Sequence, residues 1–264
     1  MAIKLRVNAH VMKRIKSREA FTRVELLTVV ASAALLGTAG FSLLANTAVR
    51  NDSAVCANNL RQVGRAFHMW ASDHGGEHPW LTGYADGGGY IRFNEPVPPT
   101  INVPGAGPLP SALRLNAWFH FNFVSQELRT PAILVCPTDR AKTRAETFSN
   151  NPTNGYLAVN YQNRATSYFI GAHALGLAPS AMLSGDRSLK EDAFGNCPVN
   201  MGDISRIELN GLPKSWNADL HPSGGNLLLN DGRVEEFSSD GLTWFLDRRG
   251  GGGIVGNTHI LKPQ

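Results

Sequence analysis

The chain has 264 residues, of which 42% are hydrophobic and 17% are charged, and its mean hydropathy is −0.17. This composition excludes an intrinsically disordered chain and a membrane protein with many spans, and the length suits one sizeable domain or two small ones. The isoelectric point of about 9.1 at first suggests an acidic partner such as nucleic acid.

The positive charge is concentrated at the N-terminus. Residues 1–20 carry six lysines and arginines against one glutamate, a net charge of +5, while the whole chain carries +4. Residues 21–264 therefore have a net charge of −1. A body this close to neutral gives no electrostatic reason to expect nucleic acid, and we predict no nucleic-acid partner.

A long apolar run follows the basic residues. Residues 26–49 contain no charged side chain, and a helix of 24 residues can cross a bilayer core of about 30 Å. The basic flank at residues 13–18 predicts a single span with the body outside. A cleaved secretory signal peptide is the alternative, but the run is longer than such signals have. Glu25 stands at the head of the run, where a carboxylate is costly without a paired cation.

The segment AFTRVELL, residues 20–27, lies between a short basic leader and the apolar run. It resembles the N-terminal signature of type IV prepilins and type II secretion pseudopilins. The resemblance implies cleavage by a prepilin peptidase between Ala20 and Phe21, methylation of the new Phe21 amine, and an assembly role for Glu25. Two residues depart from the family pattern: Ala20 stands where glycine is usual, and Arg23 replaces a commoner apolar residue. Both put the efficiency of cleavage and assembly in question.

The resemblance divides the chain into three parts. It implies a basic leader peptide at residues 1–20, a transmembrane helix that forms a filament core at residues 21–49, and a globular head at residues 50–264. The protein is then expected in the inner (cytoplasmic) membrane as a single-pass protein. Its N-terminus is expected on the cytoplasmic side and its head in the periplasm or outside the cell.

The head is predicted to begin with an amphipathic helix that extends to about residue 73. Leu60, Val63, Phe67 and Trp70 recur at helical spacing and form one apolar stripe. The glycine pair at 75–76 ends the helix, and a Gly- and Pro-rich stretch at about 82–115 then predicts a long irregular insertion.

Short β-type runs follow at residues 132–136, 166–171, 181–185, 226–230 and 233–237. The Asn230-Asp231-Gly232 turn between the last two predicts a hairpin, because its positions favour positive φ. Residues 238–249 predict a short helix capped by Ser238 or Asp240, followed by a Gly-rich loose end. The predicted fold class is α+β and pilin-like: a long N-terminal helix, membrane-spanning in its first half, packed on a small antiparallel sheet.

Several fragments of the head are similar, in order, to an environmental-bacterial subgroup of prepilin-type proteins. They are CANNLRQVGRAFHMWASDHGGEHP, VCPTD, SYFIGA, SGDRSL and HPSGGNLLLNDGRVEEF. That subgroup carries a C-terminal H-x9-DG motif. Its counterpart here is His221, nine further residues, and then Asp231-Gly232.

Three residues, Asp186, His221 and Asp231, are candidates for an acid/base or metal constellation. The sequence contains no nucleophile elbow, no HExxH helix, no phosphate-binding loop and no dinucleotide fingerprint. An aspartate before a glycine in a hairpin is also accounted for by turn chemistry. We therefore predict that the chain is not an enzyme.

Calcium is the one cofactor for which the sequence offers donors. Asp219, Asn230, Asp231 and Asp240 supply the oxygens that hard cations take. Their spacing does not match an EF-hand, and turn formation explains the same residues without a metal. Both interpretations stay open at this point: no cofactor, or a calcium site in the C-terminal part.

The chain has three cysteines and no C-x-x-C spacing, so a zinc ribbon is not expected. If the body is exported, a disulfide between Cys56 and Cys136 is allowed, and Cys197 is left over.

Two functions from different classes fit these features. The first is a pseudopilin or minor pilin: a structural subunit of a type II secretion or type IV pilus-like filament rooted in the inner membrane. Its partners are a prepilin peptidase and other pilin or pseudopilin subunits, and Glu25 neutralises the Phe21 amine of an adjacent subunit. The second is a membrane-anchored extracytoplasmic module that binds carbohydrate or another ligand through Trp80, Tyr84 and Tyr90 and does not polymerise.

Overall fold

The structure is a computed structural model of the chain. It describes residues 22–91, 95–174, 178–197, 202–208, 213–249 and 257–263. The chain divides into two compact units, residues 1–47 and residues 48–264. The predicted leader at residues 1–20 lies outside the described residues.

The first helix, α1, is Arg23–Asp73. The prediction that its first half spans a membrane is wrong, because no helix in the described part of the chain is long and apolar enough to cross one. The helix α1 carries Arg23 and Glu25 at its start and is again charged from Arg50 and Asp52 onward. The predicted transmembrane segment at residues 21–49 is therefore wrong, and so is the inner-membrane localisation that was derived from it.

The main sheet has seven strands, and every neighbouring pair is antiparallel. In chain order the strands are β3 (Tyr168–Gly171), β4 (Met182–Asp186), β5 (Ala193–Cys197), β6 (Gly202–Glu208), β7 (Gly225–Leu229), β8 (Val234–Phe237) and β9 (Asn257–Leu261). Their order across the sheet is β5-β6-β9-β3-β4-β7-β8. The predicted fold class is therefore also wrong, because the sheet is not small. The protein is a mixed helix and sheet protein with a broad, seven-stranded antiparallel sheet.

One face of the sheet packs against α1. Ile170 of β3 and Leu228 of β7 belong to the same buried core as Leu60, Val63 and Phe67 of the helix. The predicted apolar stripe is therefore a core surface, as its helical spacing indicated.

The other face packs against α4, the helix Ser239–Arg249. Phe169 and Leu229 share a second buried core with Leu242, Phe245 and Leu246. Because both faces are covered, β7 is buried at every position, and this explains its continuous apolar run.

The predicted hairpin is confirmed between β7 and β8. The two strands pair from Gly225 opposite Phe237 to Leu228 opposite Val234. Gly232 has a φ of +84°, the left-handed conformation that favours glycine in such a turn. Ser238 then caps α4, because its hydroxyl oxygen accepts a hydrogen bond of 3.2 Å from the Gly241 N–H.

Three regions differ from the sequence predictions. Residues 132–136 do not form a strand, since a 3₁₀ helix (Pro131–Leu134) begins there with proline at its first position. The Gly- and Pro-rich insertion contains a two-stranded hairpin, β1 (Thr100–Val103) and β2 (Gly107–Pro110). The tail expected to be loose contains β9, which lies between β6 and β3.

The remaining short elements complete the larger core. They are the helices α2 (Ala117–Phe123) and α3 (Ser125–Leu128) and the 3₁₀ helices Tyr84–Asp86, Ser111–Leu115 and Gln162–Ala165. All seven residues of α2 are buried. An apolar run without helical periodicity gave the sequence no means of assigning this helix.

Candidate functional site

The N-terminal motif forms a reciprocal capping arrangement at the start of α1. The Glu25 carboxylate accepts hydrogen bonds from the backbone N–H of Thr22, at 2.8 Å, and from its hydroxyl, at 2.9 Å. The Thr22 hydroxyl oxygen accepts in turn from the Glu25 N–H at 3.2 Å. This is a capping box, which satisfies backbone donors of the first helical turn. These bonds hold the pKa of Glu25 below its usual value. Thr22 is thus a local partner for Glu25, and T-x-x-E before an apolar run is the sequence signal for it.

Directly after this cap, α1 carries a cluster of exposed large apolar side chains. We call it the N-terminal apolar surface, and its members are Val24, Leu26, Leu27, Val29 and Val30. They are 59–69% exposed. Contiguous exposed apolar residues of this kind mark an interaction site.

The processing residues cannot be placed in the same way. Ala20 and Phe21 lie outside the described residues. Cleavage between them and methylation of Phe21 therefore stay predictions.

A buried polar cluster lies in the second unit, around a disulfide. Cys56 of α1 and Cys136 are joined with a Cα–Cα distance of 5.3 Å, and both are fully buried. The Thr138 hydroxyl lies 3.0 Å from the Cys136 sulfur, and the His221 Nε2 lies 3.6 Å from it on another side. The pair that the sequence allowed is thus the pair that forms, and it fastens the helix to the segment before β3.

His221 connects the disulfide to a buried carboxylate. Its Nε2 is 3.4 Å from the Asp186 Oδ2, and both side chains are 1% exposed or less. The same oxygen accepts from the backbone N–H of Asn226 at 2.7 Å and from its side-chain amide at 3.0 Å. We call Cys56, Cys136, His221 and Asp186 the disulfide cluster.

Burial shifts both titrating groups of this cluster toward their neutral forms. It raises the pKa of Asp186 to about 7, although the hydrogen bonds from Asn226 act in the opposite direction. It lowers the pKa of His221, against the raising effect of the Glu236 and Asp52 carboxylates. A surface cavity of about 560 Å³, lined partly by His221, Asn226 and Glu236, opens beside the cluster.

A second buried pair adjoins the cluster. Arg187 binds Asp139 with two hydrogen bonds, Nε to Oδ2 at 2.6 Å and Nη2 to Oδ1 at 2.7 Å. The Ser167 hydroxyl donates to the same Oδ2 at 2.8 Å. Burial alone would raise the pKa of Asp139, but the bonds from Arg187 and Ser167 outweigh it and hold that pKa below its usual value. Asp139 therefore stays charged in the folded chain.

Three of the sequence fragments named above supply residues of these two polar groups. VCPTD supplies Cys136 and Asp139, SGDRSL supplies Asp186 and Arg187, and HPSGGN supplies His221 together with Asn226. The fragments converge on one buried network because each of these polar groups needs a partner once it is removed from water.

The two halves of the H-x9-DG motif have separate roles among the described residues. His221 belongs to the disulfide cluster, whereas Asp231 and Gly232 form the β7–β8 turn. The Asp231 carboxylate accepts from the Arg233 Nε at 2.8 Å, an exposed ion pair within the hairpin. The candidate constellation of Asp186, His221 and Asp231 is therefore split: the first two residues are in contact, and Asp231 is bound elsewhere.

The calcium candidates have identified surroundings of their own. Asn230 is buried and accepts from the His78 Nε2 at 2.8 Å, while Asp231 is paired with Arg233. Asp219 and Asp240 are exposed, and Asp240 lies in the first turn of α4. Within the described ranges, Cys56, Cys136 and His221 form a set of ligand atoms close enough for a metal, and the three aspartates do not appear in such a set. The calcium site stays a prediction.

The buried histidines make stability depend on pH. Burial lowers the pKa of His120 to about 4, and its Nε2 donates to the Arg114 carbonyl at 2.7 Å. The neutral folded form therefore contributes stability above the unfolded pKa of about 6.5, and that contribution is lost as the pH falls toward 4. Asp186 has the opposite effect on stability. Because its pKa is raised, the folded state binds a proton between about pH 4 and 7 that the unfolded state does not, and stability rises as the pH falls through this range.

We therefore predict that His120→Phe removes about 3 kcal/mol of the fall in unfolding free energy between pH 6.5 and 4. Phenylalanine keeps the ring contacts with Phe119 and Phe123 but cannot be protonated. Denaturant unfolding at a series of pH values measures the effect. If the unfolding free energy of the variant falls with decreasing pH as steeply as that of the wild type, His120 takes up its proton as readily in the folded chain as in the unfolded one.

A comparison of the chain with protein families, with curated proteins and with solved structures found no match. The pilin-type resemblance and the expectation that the chain is not an enzyme therefore stay predictions, and the function must be argued from the geometry described above.

Proposed function

We propose that the chain is a structural subunit that is cut between Ala20 and Phe21 by a prepilin peptidase and then assembles with further copies of itself. The N-terminal apolar surface is the contact. The observation that carries the proposal is the exposure of five large apolar side chains on a helix that is capped one residue after the predicted cut. Such a surface is costly in water unless another surface covers it.

A second copy of the same segment is the partner that fits this surface. Leu26 and Leu27, like Val29 and Val30, are adjacent in sequence and so point about 100° apart around the helix. The apolar side chains therefore face more than one direction, which suits packing among several helices rather than into one groove. Parallel helices of identical sequence match in length and in apolar pattern.

Glu25 sets the register of this contact in the proposal. A carboxylate carried among apolar side chains needs a cation, and cleavage creates one at the Phe21 amine. In the single chain Thr22 already binds Glu25, so a neighbouring amine must share or replace those hydrogen bonds. The charge of Glu25 and its capping role are therefore two separable functions.

The experiment compares Glu25→Gln with Thr22→Ala in processed protein. Glutamine can keep the capping box but removes the charge, whereas Thr22→Ala removes the hydroxyl's part of the capping box and keeps the charge. We expect Glu25→Gln to be cleaved but to assemble poorly, and Thr22→Ala to assemble. Electron microscopy and sedimentation measure the assembly. Normal assembly of Glu25→Gln would overturn the register role, and a monomeric wild-type chain after cleavage would overturn the proposal.

The carbohydrate-binding alternative loses its main support. Trp80 is fully buried and packs edge-on against Phe67, with ring centroids 5.1 Å apart. Tyr84 and Tyr90 are half-buried, and Tyr90 forms a parallel bridge with Gly83, the residue before Tyr84. The largest member of the suggested platform is thus part of the core and is not open to a ligand.

A further inference from the structure

The disulfide cluster has the composition of a metal site as well as that of a cross-link. It brings together two cysteine sulfurs, one imidazole nitrogen and one carboxylate oxygen from four separate parts of the chain. The sulfurs of Cys56 and Cys136 and a ring nitrogen of His221 all lie within 4.8 Å of one another. Cysteine, histidine and aspartate are the ligands that zinc takes.

One separation in this set already fits tetrahedral coordination. Metal–ligand distances of about 2.0–2.3 Å place tetrahedral ligand atoms about 3.3–3.8 Å apart. The His221 Nε2 is 3.6 Å from the Cys136 sulfur. The two sulfurs are bonded to each other in the disulfide, so they must separate before both can bind one metal.

Two atoms of the cluster are left without a hydrogen-bond partner in the described structure. They are the Asp186 Oδ1 and the His221 Nδ1, both buried. A buried carboxylate oxygen without a donor is costly, because nothing replaces the water it has lost. Zinc on the His221 Nε2 would place a positive charge near this carboxylate, whose Oδ2 is 3.4 Å from that nitrogen.

We propose that reduction of the Cys56–Cys136 disulfide converts the disulfide cluster into a zinc site, with Cys56, Cys136 and His221 as the protein ligands and Asp186 beside His221. A dithiol reductant is oxidised to its own disulfide and leaves two thiols on the chain. Zinc then displaces the two thiol protons and binds both sulfurs as thiolates. The disulfide and the zinc site exclude each other, because the S–S bond uses the same two sulfurs.

The surroundings of Cys136 favour the reduced form of this switch. The Thr138 hydroxyl, at 3.0 Å, and the His221 Nε2, at 3.6 Å, both face its sulfur. Donors that stabilise the thiolate make Cys136 the better leaving group when a reductant attacks Cys56. The cavity lined by His221 and Asn226 offers the metal a route from the surface.

The test uses the full chain with Cys197→Ser, so that only the two clustered thiols remain. The chain is reduced, freed of reductant and titrated with Zn²⁺ against a chromogenic chelator, and separately with Co²⁺. We expect one zinc per reduced chain, a thiolate-to-cobalt charge-transfer absorption, and neither signal from the oxidised chain. Reoxidation should release the zinc.

Variants distinguish a zinc site that includes His221 from zinc binding by the two thiolates alone. His221→Ala should weaken zinc binding by about tenfold or more, since loss of even an outer partner of a ligand costs that much. The matched control, His74→Ala, removes an imidazole that stacks on Trp70 and should leave the affinity unchanged. Each variant is first shown to be folded in its oxidised form by near-UV circular dichroism.

Three results would overturn the proposal. They are equal zinc affinity of the oxidised and reduced chains, unchanged affinity in His221→Ala, and a reduced chain that loses its near-UV signal and does not regain it with zinc. The proposal does not depend on filament assembly, because the cluster lies wholly within residues 48–264.

Discussion

Replacing Cys56 and Cys136 together by serine is expected to lower the free energy of unfolding by about 4 kcal/mol under oxidising conditions. The two cysteines are 80 residues apart in the sequence, so the bond restricts a large part of the unfolded chain. In the chain-entropy account, the stabilisation grows with the length of the closed loop. The bond also ties α1 to the segment that leads into β3.

Denaturant unfolding of the double variant, in the Cys197→Ser background, measures this effect without disulfide exchange. The Cys197→Ser chain alone is the reference. A loss below about 1 kcal/mol would mean that the unfolded chain keeps the two segments close without the bond. An unchanged denaturant slope is needed for the comparison to be a stability difference.

Asp139→Asn is expected to lower the free energy of unfolding by about 3 kcal/mol at pH 7. The Asp139 side chain is 1% exposed, and Arg187 binds it through two nitrogens. Asparagine keeps the shape but leaves the Arg187 guanidinium without its countercharge. Because the pKa of Asp139 is lowered in the folded state, its contribution is present above the unfolded pKa and is lost as the pH falls through the folded one.

The matched control is Glu235→Gln, which breaks an exposed ion pair with Arg233. Surface pairs of this kind contribute little, so this variant should unfold like the wild type. Urea titrations at pH 7 and at acid pH measure both variants. An Asp139→Asn chain as stable as the control at pH 7 would contradict the importance of the buried pair.

The parts of the fold that sequence reasoning recovered are those with a local cause. The Asn230-Asp231-Gly232 turn could be predicted because its residue types favour positive φ, which Gly232 adopts. Ser238 could be predicted as a cap because serine is favoured directly before a helix. The stripe of Leu60, Val63 and Phe67 is periodic because one side of α1 faces the sheet.

The features that could not be predicted from the sequence depend on contacts with other segments of the chain. β9 follows a glycine-rich stretch, and its side chains are buried only because β6 and β3 lie on either side of it. The sequence left open whether Trp80 binds a ligand or packs on the head, and its contact with Phe67 of α1 shows that it packs. The contact between His221 and Asp186 joins a loop to the end of β4 and has no sequence spacing that reveals it.

Glu25 shows how a local interaction can be overlooked in favour of a remote one. Its place at the head of an apolar run predicted a membrane-embedded helix and a cation in a neighbouring subunit. The described chain shows a capping box with Thr22 and no helix suited to crossing a membrane. The proposal of assembly therefore rests on the exposed apolar side chains that follow Glu25, and the role of its charge is a separate question for Glu25→Gln.

The central claim is that the chain is processed as a prepilin-type subunit, and the intact mass of the protein purified from cells that contain a prepilin peptidase tests it most directly. The account predicts a chain that has lost residues 1–20 and gained one methyl group at Phe21. A chain that retains Ala20, or one cut at another bond, would contradict it.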